Sequence, residues 1–169
     1  MPDAVSWSLH HLPRLGGQTA VVTGANSGIG RETTRALAAL GATVVMACRS
    51  EDRAREAAMD IRSSVPGAKL DIRLLDLADF DSVAAFADTF PEAGTLDLLV
   101  NNAGIMAPPK RRETAQGFEV QFGVNHLGHF ALTARLLPYL LRAPASRTVW
   151  VSSIAHKKGR ICFDDLQSK

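Results

Sequence analysis

Cysteine is nearly absent from this chain, with two in 169 residues, Cys48 and Cys162. They stand far apart and match no metal-ligand spacing, which argues against a disulfide framework and a zinc site and fits a reducing, cytoplasmic setting. His10, His11, His126, His129 and His156 show no ligand spacing either, so no metal is expected. An excess of one charge is also missing: the formal net charge is +2, and the basic run Lys110 to Arg112 sits beside Pro108 and Pro109. That run reads as a solvated loop face, and nucleic acid is not an expected partner. Uninterrupted apolar runs of membrane length are lacking. Val120 to Leu141 comes nearest, but Asn125, His126, His129 and Arg135 break it, so no membrane span is expected. The opening MPDAVSWSLHHLPRLGG has no basic start followed by an apolar run, so it reads as a short arm over residues 1–17 rather than a secretory signal. Tyrosine occurs once, at Tyr139.

What remains is ordinary globular composition, 46% apolar and 21% charged, enough for one domain with its own core over residues 18–169. The stretch that organises it is TGANSGIG, Thr23 to Gly30, at the junction of the apolar run Thr19 to Thr23 and the amphipathic run Ile29 to Leu40. It reads as strand, glycine turn and helix start, a junction that aims unpaired backbone N–H groups and a helix dipole at one point. Such a point attracts a phosphate or pyrophosphate. Gly41 stops the helix, and Thr43 to Ala47 forms a second strand.

Further along, Glu51 to Ser64 reads as a solvent-facing helix ended by Pro66-Gly67, and Leu70 to Leu75 as a third strand. Asp79 can N-cap a helix running to about Phe90, and Leu96 to Val100 is the fourth strand. A long helix is expected over Gly117 to Leu141, kinked or ended by Pro138, before a fifth strand at Thr148 to Ser152. Strands alternating with helices in this way build an α/β fold, a doubly wound parallel sheet of expected order 3-2-1-4-5.

Gly24, Gly28 and Gly30, spaced unlike the commoner GxGxxG, stand before NNAG at Asn101 to Gly104. With these two motifs the chain resembles the short-chain dehydrogenase/reductase family and its Rossmann fold. ACRS (Ala47 to Ser50), NNAGIM (Asn101 to Met106), VNHLGHF (Val124 to Phe130) and VSSIAH (Val151 to His156) narrow the likeness to the retinol-dehydrogenase-like branch, from Gly17 to Gln167. The resemblance implies a nicotinamide cofactor and a small-molecule alcohol or carbonyl substrate. It assigns the cofactor to Gly24, Asn26, Ser27, Gly28, Ile29, Gly30, Asp76, Leu77, Asn102, Ala103 and Gly104. Relatives commonly pair through their long helices, so a homo-oligomer is implied as well.

Cofactor choice has a physical argument. A carboxylate at the end of the second strand would hold the adenosine ribose hydroxyl and repel a 2′-phosphate. Here Cys48 and then Arg49 stand at that place, and a guanidinium fork pairs with a phosphate, which favours NADP(H) over NAD(H). For the reaction, the resemblance assigns Ser153 to the substrate oxygen and Asn125 to the ordering of a water. The family's proton donor is a tyrosine with a lysine four residues on. Tyr139 precedes the fifth strand, position 143 is Ala, and the chain reaches Lys169 without that pair. The expectation is therefore an NADP(H)-dependent oxidoreductase represented by its cofactor-binding part, lacking the last strands. The alternative is a non-catalytic dinucleotide-binding protein that acts by binding or subunit association. Epimerase and methyltransferase readings on a similar sheet fit less well: position 27 is Ser where the epimerase pattern has Gly, and methyl transfer gives no reason for NNAG.

Overall fold

The computed structural model describes residues 8–169, so the first seven residues of the expected leading arm, 1–7, lie outside the described residues. Five parallel strands form one sheet: β1 (Thr19–Thr23), β2 (Thr43–Cys48), β3 (Lys69–Leu74), β4 (Leu98–Asn101) and β5 (Arg147–Trp150). Their order is β3-β2-β1-β4-β5, as the βαβ alternation predicts. The order reverses at β1, with β2 on one side and β4 on the other, and doubly wound sheets bind ligands at the carboxyl ends of strands flanking such a reversal.

Alternate residues of β1, β2 and β4 feed two separate cores, which is why β1 and β2 read as unbroken apolar runs. On one face Ala20, Val22, Val44 and Met46 pack against Ala38 of α1 (Gly28–Ala39) and Ala54, Ala58 and Ile61 of α2 (Glu51–Ser64). Opposite, Val21, Val45 and Leu99 meet Val83 and Phe86 of α3 (Phe80–Asp88) and Leu132, Leu136 and Leu140 of α4 (His129–Arg142). Burying each large aliphatic side chain in such a core contributes roughly 1.5–3 kcal/mol. Ser50 and Asp79 supply the side-chain N-caps of α2 and α3.

The one long helix expected over Gly117 to Leu141 is different in detail. Residues 117–119 are not helical: Glu119 forms an isolated antiparallel bridge with Glu113 and caps the entry by accepting from the N–H groups of Gln121 (3.0 Å) and Phe122 (2.8 Å). A π-helical segment, Phe122–Gly128, then leads into α4. π-helical turns are rare and frequent at functional sites. Gly128 lets this segment lie against the loop after β3: a Cβ there would strike the Leu77 carbonyl oxygen and approach the Leu77 Cβ to 3.0 Å. Pro138 does not end α4, which continues to Arg142. The proline removes a single ladder donor, while Leu132, Leu136 and Leu140, all buried, hold both sides of it on the sheet.

One flank is open. β5 hydrogen-bonds only β4, and Val149, Trp150 and Val151 are about half exposed, at 47%, 45% and 47%. Along α4, Phe130, Leu137 and Leu141 also face outward, which leaves apolar surface uncovered beside β5 and α4.

Candidate cofactor site

At the carboxyl ends of β1, β2 and β4 lies an open cavity of about 470 Å³. Gly24, Asn26, Ser27, Ile29, Gly30, Arg49, Asp76, Leu77, Asn102, Ala103 and Gly104 all line it, so most of the residues singled out in the sequence converge on one place. Gly28 opens α1 beside them, with a left-handed φ of +51° and open space around its α-carbon. Ser27 is the N-cap residue of α1 but its side chain makes no capping bond, so the first N–H groups of the helix keep their capacity for an external anion.

The turn is held by β1 and the loop after β4 together. Thr23 Oγ1 accepts from the backbone N–H groups of Asn102 and Ala103, each at 2.9 Å, while Asn102 Nδ2 donates to the Thr23 carbonyl at 2.8 Å. Gly30 fits beneath: a Cβ at that position would overlap the Gly24 carbonyl oxygen and the Asn102 side-chain nitrogen. Asp76 shapes the neighbouring loop, accepting from Ala78 N–H at 2.9 Å while its own N–H donates to Ser82 Oγ at 2.9 Å.

The two residues assigned to the reaction stand differently. The Asn125 amide, on the π-helical segment, forms a two-bond clamp with Ile105, accepting from its N–H and donating to its carbonyl, each at 2.8 Å. Ile105 and Val124 line the cavity, which puts Asn125 at its border. Ser153 is exposed and is not among the lining residues. Its Oγ accepts from Ala155 N–H at 3.1 Å, capping a short 3-10 turn, Ile154–Lys158.

A match to the model of the short chain dehydrogenase family runs over residues 18–164, nearly all of this fold. The chain belongs to the short-chain dehydrogenase family. Among curated relatives of this family it is 48% identical to retinol dehydrogenase 12 of Homo sapiens over 157 residues, 92% of this chain and 49% of that protein. It is likewise 48% identical to retinol dehydrogenase 11 of Mus musculus over 92% of this chain and 49% of that protein. The chain thus spans about half the length of these curated relatives. Among solved structures, an uncharacterized protein from Mycobacterium Paratuberculosis matches with a TM-score of 0.83 and 46% identity, covering 95% of this chain and 55% of that one. A short chain dehydrogenase from Escherichia coli CFT073, complexed with NADPH, matches with a TM-score of 0.73 and 31% identity, over 86% of this chain and 62% of that one.

Within this short-chain dehydrogenase site, sequence reasoning overlooked four residues. Ser50 and Arg53 line the cavity next to Arg49, and the four-residue step from Arg49 to Arg53 across a helix start was a usable signal. Thr23 and His129 had none, because Thr23 Oγ1 and His129 Nε2 are 2.9 Å apart in space and 106 residues apart in sequence. Cys48, by contrast, is 1% exposed, and burial pushes its thiol up to about 11, so it is neither charged nor available near pH 7. In a thiol titration with a disulfide reagent at pH 7.5, the exposed Cys162 is expected to react at once and Cys48 only after denaturant is added. Two equally fast thiols would contradict that burial.

Proposed function

We propose that the chain is the NADP(H)-binding part of a short-chain oxidoreductase that interconverts an alcohol and an aldehyde or ketone. The observation that carries the cofactor choice is the cationic wall after β2. Arg49 and Arg53 line the cavity with Ser50, and among the described residues no ion pair engages either arginine. The nearby acid Glu51 pairs with Arg55, and neither Glu51 nor Asp52 lines the cavity. A 2′-phosphate at the end of β2 would therefore meet two guanidinium groups and no carboxylate from the start of α2; the acid that does line the cavity, Asp76, follows β3, where its carboxylate accepts from Ala78 N–H. The solved relative complexed with NADPH supports the same reading.

The bound dinucleotide would supply the hydride. The uncapped N–H groups of α1 would hold its pyrophosphate, and Asn102, Ala103 and Gly104 would follow its length from the loop after β4. Asn125, its amide clamped by Ile105, is suited to keep its backbone fixed while a water is ordered beside it. Ser153, whose oxygen accepts from Ala155 N–H, keeps its own proton for donation to a substrate oxygen. The alternative, a dinucleotide-binding protein without turnover of its own, draws on Tyr139. Its hydroxyl donates to the Phe90 carbonyl at 3.4 Å, its ring packs on Phe90, and it is not a cavity residue. For partners, the exposed α4 side chains Phe130, Leu137 and Leu141 suit pairing with a second copy, and the two free thiols suit a reducing cytoplasm.

Titration of the chain with NADPH and NADH, followed by cofactor fluorescence, tests this reading. Charge-assisted hydrogen bonds of about 1.5–3 kcal/mol predict NADPH binding roughly 10- to 100-fold tighter than NADH. Equal affinities would remove the argument from Arg49, and no binding of either would remove the dinucleotide site.

A further inference from the structure

His129 is a buried histidine, 2% exposed, and no step above uses it. It opens α4 directly after the π-helical segment, and its two ring nitrogens reach two parts of the site. Nε2 lies 2.9 Å from Thr23 Oγ1, and Nδ1 lies 3.2 Å from the Asn125 carbonyl oxygen. The ring of Trp150 on β5 covers the imidazole edge-on at 6.2 Å.

The protons in this arrangement follow from donor and acceptor capacity. A carbonyl oxygen can only accept, so Nδ1 carries the hydrogen shared with Asn125. A threonine hydroxyl has two lone pairs and one proton. Both lone pairs of Thr23 Oγ1 are taken by the N–H groups of Asn102 and Ala103, at 2.9 Å each. Its proton must then point to an acceptor: the Val100 carbonyl at 3.4 Å, or His129 Nε2 at 2.9 Å. The shorter, better contact is Nε2, which can accept only if the imidazole is neutral. Burial lowers the His129 pKa against the opposing pull of the Asn125 carbonyl, in line with that neutral form. An imidazolium would set a second donor against a hydroxyl whose lone pairs are already used.

We propose that His129 is a positioning residue: as a neutral Nδ1–H imidazole it fixes the Thr23 hydroxyl for Asn102 and Ala103 and ties the cofactor turn to the Asn125 backbone. One directed chain then runs from the Asn102 and Ala103 N–H groups through Thr23 Oγ1–H and His129 to the Asn125 carbonyl. It joins the end of β1, the loop after β4, the π-helical segment and the start of α4. Cavity geometry is thereby coupled to the segment that carries Asn125. The hydrogen-bond assignment stands by itself, while its consequence for affinity rests on the dinucleotide reading above.

The test begins with the unaltered chain. A long-range ¹H–¹⁵N histidine spectrum is expected to show His129 as the neutral Nδ1–H tautomer. Thr23→Val is expected to shift its Nε2 resonance, and Thr23→Ser, which keeps the hydroxyl, to restore it. An Nε2–H tautomer, a charged ring at neutral pH, or no response to Thr23→Val would overturn the assignment. In NADPH titrations, His129→Leu and Thr23→Val are each expected to weaken binding by about tenfold, and the double variant by little more than either alone, as for groups in one network. A double variant weaker by about a hundredfold, the product of the two, would show that the residues act separately and overturn the proposed coupling. If the unaltered chain bound no NADPH, the dinucleotide reading would fall, and the tautomer would still decide the role of His129. Variants that fail to fold leave the spectrum of the unaltered chain as the deciding measurement.

Discussion

Gly30→Val is expected to abolish NADPH binding and to lower the melting temperature of the chain by roughly 2–12 °C. The side chain has nowhere to go. A Cβ at this position already overlaps the Gly24 carbonyl oxygen and the Asn102 side-chain nitrogen, and stands 2.9 Å from the Gly24 carbonyl carbon. Two of these atoms are backbone, so no rotamer change relieves the clash and the turn must move away from the loop after β4. Overpacking of this kind costs about 1–3 kcal/mol, and each kcal/mol shifts the melting point of a domain this size by about 2–4 °C. Binding suffers more than stability because the displaced groups are the ones that would meet the pyrophosphate, so the loss is expected to exceed about 100-fold. Gly16→Ala is the matched control: it has no heavy atom within 4 Å and its change is expected to stay within about 0.5 kcal/mol. Differential scanning fluorimetry with and without NADPH reads both effects. Retention of cofactor-induced stabilisation in Gly30→Val would show that the glycine turn is not where the cofactor binds.

The second large effect belongs to Arg49. Arg49→Asp is expected to weaken NADPH binding by about 10²- to 10³-fold while leaving NADH binding unchanged or tighter. The substitution removes a charge-assisted pair of about 1.5–3 kcal/mol and sets a carboxylate against the 2′-phosphate. Facing NADH, the same carboxylate can accept from the free ribose hydroxyl. Arg53→Ala keeps Arg49 and is expected to cost only about 3- to 10-fold, as one of two cations facing the same anion. Because Arg49 and Arg53 are both exposed, the preference for NADPH is expected to narrow as salt is raised. An Arg49→Asp variant that still preferred NADPH would place the 2′-phosphate elsewhere.

Much of this site is legible in the sequence because its signals are local. β1 and α2 span the stretches read from the sequence, Thr19 to Thr23 and Glu51 to Ser64, since glycine boundaries, a serine cap and alanine-rich periodicity each act within a few residues. Gly24, Arg49 and Asp76 meet at one cavity because a parallel sheet brings the carboxyl ends of its strands to one edge, whatever lies between them in the chain. The long helix was less legible. Val120 to Leu141 has helical periodicity throughout, and nothing in that pattern separates a π-helical turn from an α-helical one. The deviation depends on Glu119 capping Gln121 and Phe122, on Gly128 meeting Leu77, and on the Asn125 clamp with Ile105, all of which are settled by packing against other segments. Pro138 stays inside α4 for a similar reason, since a lost backbone bond is outweighed by buried leucines on either side of it.

The sequence by itself therefore determined the five-strand α/β sheet, its order, the glycine turn, the absence of an acid at the end of β2, where Cys48 and Arg49 stand, and membership of the short-chain dehydrogenase family. These follow from periodicity, caps and motifs, which are short-range. Only the tertiary structure decided that Arg53 joins Arg49 at the cavity, that Cys48 is sealed inside the sheet, and that Ser153 caps an exposed turn outside the cavity lining. It alone put Thr23 and His129, 106 residues apart, within 2.9 Å of each other. Such contacts depend on how β1, β4 and α4 pack together, and no spacing along the chain records that geometry.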